Sequence, residues 1–527
     1  MILFTNGRIH TLNPHQPTAS AMAVANGRIL AIGTDDEVRS LGGRGATETN
    51  LAGRTILPGL TDAHLHLDYF SRGLDYIDCE TSSRAECLQR VAERCLATPD
   101  GQWVRGHGWN QNNWPEGFGS ARLLDEISHG HPVYLTAKSL HASWANSLAL
   151  QMAGITRHTP DPAGGKIGRD ANGEPNGILF ENAVTLVERV IPELTPAQLG
   201  ELLLKTQQKL WSLGLTGVHD FDGVNCFSAL QALDLAHQLK LRVVKSIPLS
   251  FLPQASALKL HSGFGSDHLR IGSVKLFADG ALGPRTAAML QPYEGESEYR
   301  GMALLDSEEI FEIGRQAVTS GLSLTIHAIG DLANHQVIDG YAQIRSFEQD
   351  RGISPGRHRI EHVQIIHPDD IPRLAEHNII ASMQPLHATS DMEIADRHWG
   401  SRAQYAYALN SIQQAGIPLV LGSDAPVETP NPFLGFHAAV TRTRPNGDPS
   451  PAGWYPSQKI SLARALQGYT TTPAFAGHYE NDLGQLAAGF FADFIILEQD
   501  PFTLPSAQLW QLAPAGVVIG GEWVWGN

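Results

Sequence analysis

The chain has 527 residues, 42% of them apolar and 17% charged, which excludes a disordered or low-complexity protein and fits a globular one. Its formal net charge of −16 argues against a nucleic-acid binder, since no basic face can dominate such a surface. The length exceeds one ordinary domain, and a large α/β barrel with accessory parts accommodates it.

In chain order, residues 1–57 read as short strands. Ile2 to Phe4, Arg8 to Leu12, Ala21 to Val24 and Arg28 to Ile32 are strand-like, and Asn6-Gly7 and Asn26-Gly27 predict hairpin turns. A short helix is expected at the acidic Asp35-Asp36-Glu37, followed by strands at Thr47 to Leu51 and Thr55 to Leu57. Cys79, Cys87, Cys95 and Cys226 show no Cys-x-x-Cys spacing, so a reduced, cytoplasmic setting is expected. No signal peptide or membrane span is evident; none of the apolar runs reaches the ~18–20 residues that a span requires. Residues 101–192 are rich in Gly, Pro, Trp and Asn and predict an insertion that overhangs a site. Within it, His141 and Trp144 are candidate substrate contacts, with plain core packing as the competing reading. A helix is expected from Thr195-Pro196 to about Leu213.

Short apolar strands then alternate with helical stretches: 216–220, 242–248, 271–278, 322–328, 358–363, 379–384 and 418–423. With Leu60 to His66 they make eight, the pattern of an α/β fold of the (β/α)8 TIM-barrel type. The end of the chain returns to β structure at 492–497, 517–519 and 523–525. The simplest assembly joins 1–57 and 475–527 into one β domain beside a barrel over 58–474.

Barrel enzymes carry their chemistry at the C-terminal ends of the strands. Residues i and i+2 of a strand share a face, so His64 and His66 would point the same way from the first strand. In a chain with 23 histidines that pair alone means little. Later strand ends supply Lys275, His327, His362 and Asp424. All but Lys275 are ordinary metal ligands; an ammonium has no lone pair. Glu361, next to His362, is expected on the opposite face of its strand, tying barrel to helix. Asp331 follows His327 too closely to share an ion with it and reads as a loop cap or supporting acid.

The order His-x-His, Lys, His, His, Asp resembles the amidohydrolase superfamily of metal-dependent hydrolases, over nearly the whole chain. LAAGFFAD (Leu486 to Asp493) resembles that superfamily's returning-strand motif. KLFADGALGPRT (Lys275 to Thr286), HASWANSL (His141 to Leu148) and Gln384-Pro385-Leu386-His387 with Ser390-Asp391 are similar to the YtcJ-like group, which includes N-substituted formamide deformylases. The resemblance implies a TIM barrel, a small β-sandwich from both chain ends and an insertion after the first barrel strand.

It also implies a divalent metal, Zn2+ by default for a His-rich set, with Mn2+, Fe2+ and Co2+ open. His64, His66, Lys275, His327, His362 and Asp424 would hold it. Lys275 has two readings. Either it is carboxylated on Nζ and bridges two ions, or it stays a lysine, pairs with an acid such as Asp279, and one ion binds. Asp424 and Lys275 are the candidate catalytic residues, with Asp424 moving the proton between the attacking water and the leaving nitrogen. Candidate substrate contacts are Asp279, Arg285, His141, Trp144, His387 and Asp391. The expected reaction is hydrolysis of a C–N bond in an amide, N-formyl compound or cyclic amide. Heterocycle deamination and ester or lactone hydrolysis are the alternatives. Deamination is disfavoured because Lys275 is present and Asp331 stands where a glutamate is usual. The expected partner is a small-molecule substrate, with no nucleic acid or membrane and a homodimer as the one assembly considered.

Overall fold

The computed structural model describes residues 1–527 apart from 44, 112–113, 139–141, 163 and 527. Eight parallel strands form its centre: Leu60–Leu65 (β1), Leu215–Asp220 (β2), Arg242–Pro248 (β3), Leu269–Phe277 (β4), Ser323–Ala328 (β5), Arg359–His362 (β6), Ile380–Met383 (β7) and Leu419–Leu421 (β8). Each is hydrogen-bonded to the next in sequence order. Their residues are almost all buried, as parallel strands covered on both faces must be. The sheet closes just past the ends of β1 and β8. Asp424 N–H donates to the His64 carbonyl (2.7 Å) and His66 N–H to the Ala425 carbonyl (2.9 Å). This is the TIM barrel expected from the sequence, with each strand where the apolar runs put it.

The two chain ends share a second structure. A four-stranded sheet runs in the order Arg28–Gly33, Ala21–Ala25, Ile2–Thr5, Thr47–Asn50. A six-stranded sheet runs Glu522–Gly526, Pro514–Ile519, Phe494–Leu497, Thr55–Pro58, Arg8–His10, Thr18–Ala19. The second is half N-terminal and half C-terminal: Phe494–Leu497 lies antiparallel to Thr55–Pro58, with Ile496 opposite Ile56. Phe4, Met22, Ile29, Ile56, Phe494 and Val518 bury into one core between the sheets. Phe4 meets Phe494 edge to face with centroids 5.1 Å apart, a favoured aromatic geometry. Asn26-Gly27 makes a two-residue hairpin, with both residues at positive φ. Asn6-Gly7 does not. It passes the chain from one sheet to the other, since Gly7 N–H bonds Ser20 and Asn6 N–H bonds Asp35, neither of them on the following strand.

The segment LAAGFFAD connects this sandwich to the barrel. Asp493 accepts from Arg242 Nε (2.8 Å) and Nη2 (2.9 Å) of β3 and from Gly520 N–H (2.7 Å), while its carbonyl takes Gly59 N–H (2.9 Å) just before β1. Arg242 also lies 4.0 Å from the centroid of the Phe491 ring. Both charged side chains are buried.

The chain divides into two compact units: Met1–Phe70 with Leu199–Asn527, and Ser71–Gln198. The second has its own six-stranded sheet, ordered Gly165–Arg169, Pro175–Glu181, Ala142–Ala145, Val133–Ala137, Val104–Trp109, Ile77–Asp78. Its core holds Trp109, Trp114 and Trp144 together with Cys79, Cys87 and Cys95. Cys87, Val91 and Cys95 lie four residues apart and form the buried face of the helix Arg84–Ala97. All four cysteines are free. Among the described residues, no helix is long and apolar enough to cross a membrane.

Replacing one partner of a buried, doubly bonded ion pair leaves the other charge uncompensated, at a cost of about 3–5 kcal/mol. Asp493→Ala is therefore expected to destabilise the protein by that order, read as a lowered Tm. Arg242→Met with Asp493→Leu should recover part of the loss.

Candidate metal centre

β1 delivers Asp62 and His64 to the barrel interior and ends in His66. Asp62 Oδ1 accepts the backbone N–H groups of His64 (3.1 Å) and Ser423 (3.0 Å), which sets the register of β1 against the end of β8. Burial pushes the Asp62 carboxyl up to about 7. At the same end, His362 and Asp424 are turned inward by positive backbone φ, 76° and 61°. His64, His362 and Asp424 each bring a ligand atom within 4.8 Å of the others.

Four histidines have one ring nitrogen committed to an oxygen. His64 Nδ1 is 2.6 Å from Glu361 Oε2, His66 Nδ1 is 2.9 Å from Asp222 Oδ1, and His362 Nδ1 is 2.9 Å from Gln384 Oε1. His327 Nε2 donates to the Gly280 carbonyl (2.9 Å). An acceptor on one nitrogen holds the proton there and leaves the other as a lone pair, the arrangement that orients metal-binding imidazoles. His64 Nε2 and His66 Nε2 each lie 3.4 Å from Asp424 Oδ1. His387 Nε2 lies 3.9 Å from Asp424 Oδ2 and, though buried, has no hydrogen-bond partner among the described residues. Lone pairs directed at a carboxylate, with an orphaned imidazole nitrogen beside them, form a donor set that fits a divalent cation.

The electrostatics favour the neutral ring at three of the four. Burial lowers His64 and His327 to about 4, and holds His362 well below its ordinary value. Burial opposes protonation of His66 as well, but Asp222 and Asp424 outweigh it and raise that group to about 9. Burial would raise Asp424; His64, the bond to His66 and the His362 ring hold it far below the usual carboxylate range.

Lys275 points into the same region from β4. Desolvation lowers its ammonium to about 8, with Glu361 and Asp424 opposing. Its Nζ sits 4.8 Å from the centroid of Phe221 and 4.9 Å from that of Phe277, with no carboxylate of a described residue at ion-pair distance. The pairing with Asp279 does not form, because backbone N–H groups occupy the Asp279 oxygens: Ala288 (2.9 Å), Ile329 (3.0 Å) and Gly330 (2.8 Å).

The other sequence candidates scatter. His387 joins the cluster, its ring parallel to His362 at 6.2 Å. Arg285 is partly exposed and pairs with Glu296 (2.7 Å). Asp391 accepts from Tyr407 Oη (2.7 Å) and Gln364 Nε2 (3.2 Å). Trp144 is fully buried in the core of the Ser71–Gln198 unit, its indole N–H on the Ser120 carbonyl (2.9 Å). His141 lies outside the described residues. Asp331 takes the N–H groups of Leu290 (2.7 Å) and Leu332 (3.0 Å), a loop cap.

Glu361 corrects the sequence reading. It faces the barrel interior, not a helix, where it accepts from Arg359 Nε (2.8 Å), from Thr325 Oγ1 and from His64. The alternation rule fails because positive φ at His362 (76°) and Val363 (40°) breaks the strand and swings His362 inward beside Glu361. Sequence reasoning also missed Asp222, Gln384 and Phe221. Of these, Asp222 carried a signal: it stands two residues after Asp220 at the end of β2, the same spacing as His64 and His66.

A family model described as the Amidohydrolase family matches residues 47–525. The Bacillus subtilis protein YtcJ is 32% identical over 537 residues, covering 99% of this chain and 99% of its own length. The N-substituted formamide deformylase of Arthrobacter pascens is 29% identical over 538 residues, covering 99% and 97%. The structure of an uncharacterized metal-dependent hydrolase from Pyrococcus furiosus superposes with a TM-score of 0.80 at 28% identity, over 95% of this chain and 100% of that one. With the family model spanning most of its length and barrel, sandwich and strand-end donors in the expected order, the chain belongs to the amidohydrolase family.

Proposed function

We propose that the protein is a metal-dependent hydrolase of a C–N bond in a small N-formyl or N-acyl amine, with His64, His66, His327, His362, Asp424 and a carboxylated Lys275 as the ligand set. The observation that carries this reading is the convergence of imidazole nitrogens on an ionised Asp424 beside a buried lysine with no carboxylate of a described residue at ion-pair distance. A desolvated amine near neutrality is the form that takes up CO2. The carbamate would supply the acidic oxygens that Lys275 itself lacks. When bound, a divalent ion supplies Lewis acidity to a substrate carbonyl and activates a water.

The chain's own part in the reaction is proton transfer and positioning. Asp424 accepts a proton as the water oxygen bonds the carbonyl carbon, and returns it to nitrogen as the C–N bond breaks. The products are a carboxylic acid, formic acid in the formamide case, and an amine. The Phe221 and Phe277 rings flank the Lys275 ammonium. A cavity of about 310 Å³, lined by those two rings with Pro248, Leu249, Leu304 and Leu305, opens beside Lys275 and suits an apolar substituent on the substrate. Similarity to the formamide deformylase supports the bond class. Deamination is less well supported, since Asp331 is spent on backbone N–H groups.

Three outcomes test this. Asp424→Asn, assayed at matched metal content, should lower kcat by about 10²–10⁴-fold with KM little changed, because a general acid-base group is lost while the pocket stays. Lys275→Ala should bind one metal ion fewer per chain by elemental analysis, and intact-mass spectrometry of the native protein should find a carboxyl adduct at Lys275; equal metal counts would remove the bridging role. N-formyl amines with apolar substituents should react with higher kcat/KM than those bearing a carboxylate. If no N-formyl or N-acyl amine reacts with metal bound while an ester or lactone does, the C–N assignment falls.

A further inference from the structure

β2 ends in two acids, and both reach back to the segment that carries His66. Asp222 Oδ1 bonds His66 Nδ1 (2.9 Å), Asp220 Oδ1 accepts Leu67 N–H (2.8 Å), and Asp222 Oδ2 accepts Asp68 N–H (2.5 Å). Two side chains thus grip three successive residues at the rim of the barrel. Behind them lies Lys245 of β3, with only 1% of its side chain exposed. Its ammonium is 2.8 Å from Asp220 Oδ2 and donates to the carbonyls of Asp222 and Ser246. Asp220, Asp222 and Cys226 together have the composition of a small cation site, and the lysine ammonium is the cation that fills it.

A buried ion pair contributes little net stability, because desolvation offsets most of its Coulomb energy. A pair that only tied β2 to β3 would need Lys245 and Asp220 alone. It would not need a second buried carboxylate pointed at an imidazole, nor the lysine bond to the Asp222 carbonyl that pins the backbone behind that carboxylate.

We propose that Asp222, anchored by the Lys245–Asp220 pair, is a positioning residue for His66. Through Nδ1 it fixes the rotation of the ring, so that Nε2 faces Asp424. Lys245 acts one step further out, by holding the Asp222 backbone and balancing the charge of Asp220. The inference rests on the metal-centre reading above, and it names residues that take no part in the proposed proton transfer.

The test is Co2+ titration of the metal-free full-length chain against a chromophoric chelator, with visible spectra and the Tm of each metal-free protein. Asp222→Ala should bind Co2+ about 10–100-fold more weakly, the range for loss of a partner that orients a ligand, and should alter the visible bands. Asp222→Asn keeps one acceptor oxygen and should lose less. In Lys245→Met with Asp220→Asn, neither removed charge leaves an unpaired partner. That protein should keep most of its Tm and still bind Co2+ more weakly. Asp493→Asn, which loosens the clamp between sandwich and barrel, should lower Tm without moving the Co2+ affinity. Wild-type affinity and spectrum in Asp222→Ala would overturn the proposal. So would an equal affinity loss in Asp493→Asn, which would trace the effect to general instability. Failure of the wild-type protein to bind Co2+ at all would instead overturn the metal-centre reading on which the inference stands.

Discussion

The barrel interior is organised around one buried ion pair, Arg359 with Glu361. The guanidinium donates to both Glu361 oxygens (2.8 and 3.0 Å), to the Ala63 carbonyl (2.9 Å) and to Ser382 Oγ (2.9 Å), and one Nη lies 2.7 Å from His219 Nδ1. β1, β2, β6 and β7 thereby meet at a single planar group, and Thr325 of β5 joins through Glu361. Only an arginine can do this, because its donors are fixed in a plane and it stays charged in the interior. Burial alone would protonate Glu361; Arg359 and His64 hold it well below its ordinary value. The ionised carboxylate can then accept from His64 Nδ1 and leave Nε2 free. The state of the first ligand candidate is thus set by a residue 295 positions further along the chain.

The same logic repeats around the mouth. Glu361 stands behind His64, Asp222 behind His66, the Gly280 carbonyl behind His327 and Gln384 behind His362. The two carboxylates among them are held in turn: Glu361 by Arg359, and Asp222 by the Asp68 N–H and, at its carbonyl, by Lys245. Buried charge is costly unless paired and hydrogen-bonded, so a wall this polar persists only if nearly every atom is satisfied. Two buried groups without a partner among the described residues, His387 Nε2 and Gln384 Nε2, lie on one strand-to-helix turn beside the cluster.

The rest of the first unit is joined to the same barrel. Closure of the barrel depends on Asp62, which binds backbone on both sides of the β1–β8 seam. The sandwich is built from both chain ends, and its motif residue Asp493 anchors it to β3 and to the residue before β1. The sandwich is therefore fastened at the start of β3 and ahead of β1, at the opposite strand ends from the donors.

By itself, the sequence determined the strand positions, the order of the donor types and the returning C-terminal strand. Those are local properties: period-two burial, apolar runs bounded by turns, and a His-x-His spacing that needs only a strand to put both rings on one face. It also carried the family, since several motifs recur in order along the chain. Tertiary structure decided what each donor faces. Glu361 looked like an outward residue because alternation was read through His362, where the backbone turns to positive φ only in the closed barrel. Asp391 and Arg285 looked like contacts to a substrate, yet neighbours distant in sequence took them: Tyr407 in one case, Glu296 in the other. For Lys275 the sequence could not show the surroundings, two aromatic faces and no carboxylate of a described residue at ion-pair distance. Whether a titratable side chain is spent or available depends on partners brought together by folding, and sequence spacing carries no record of them.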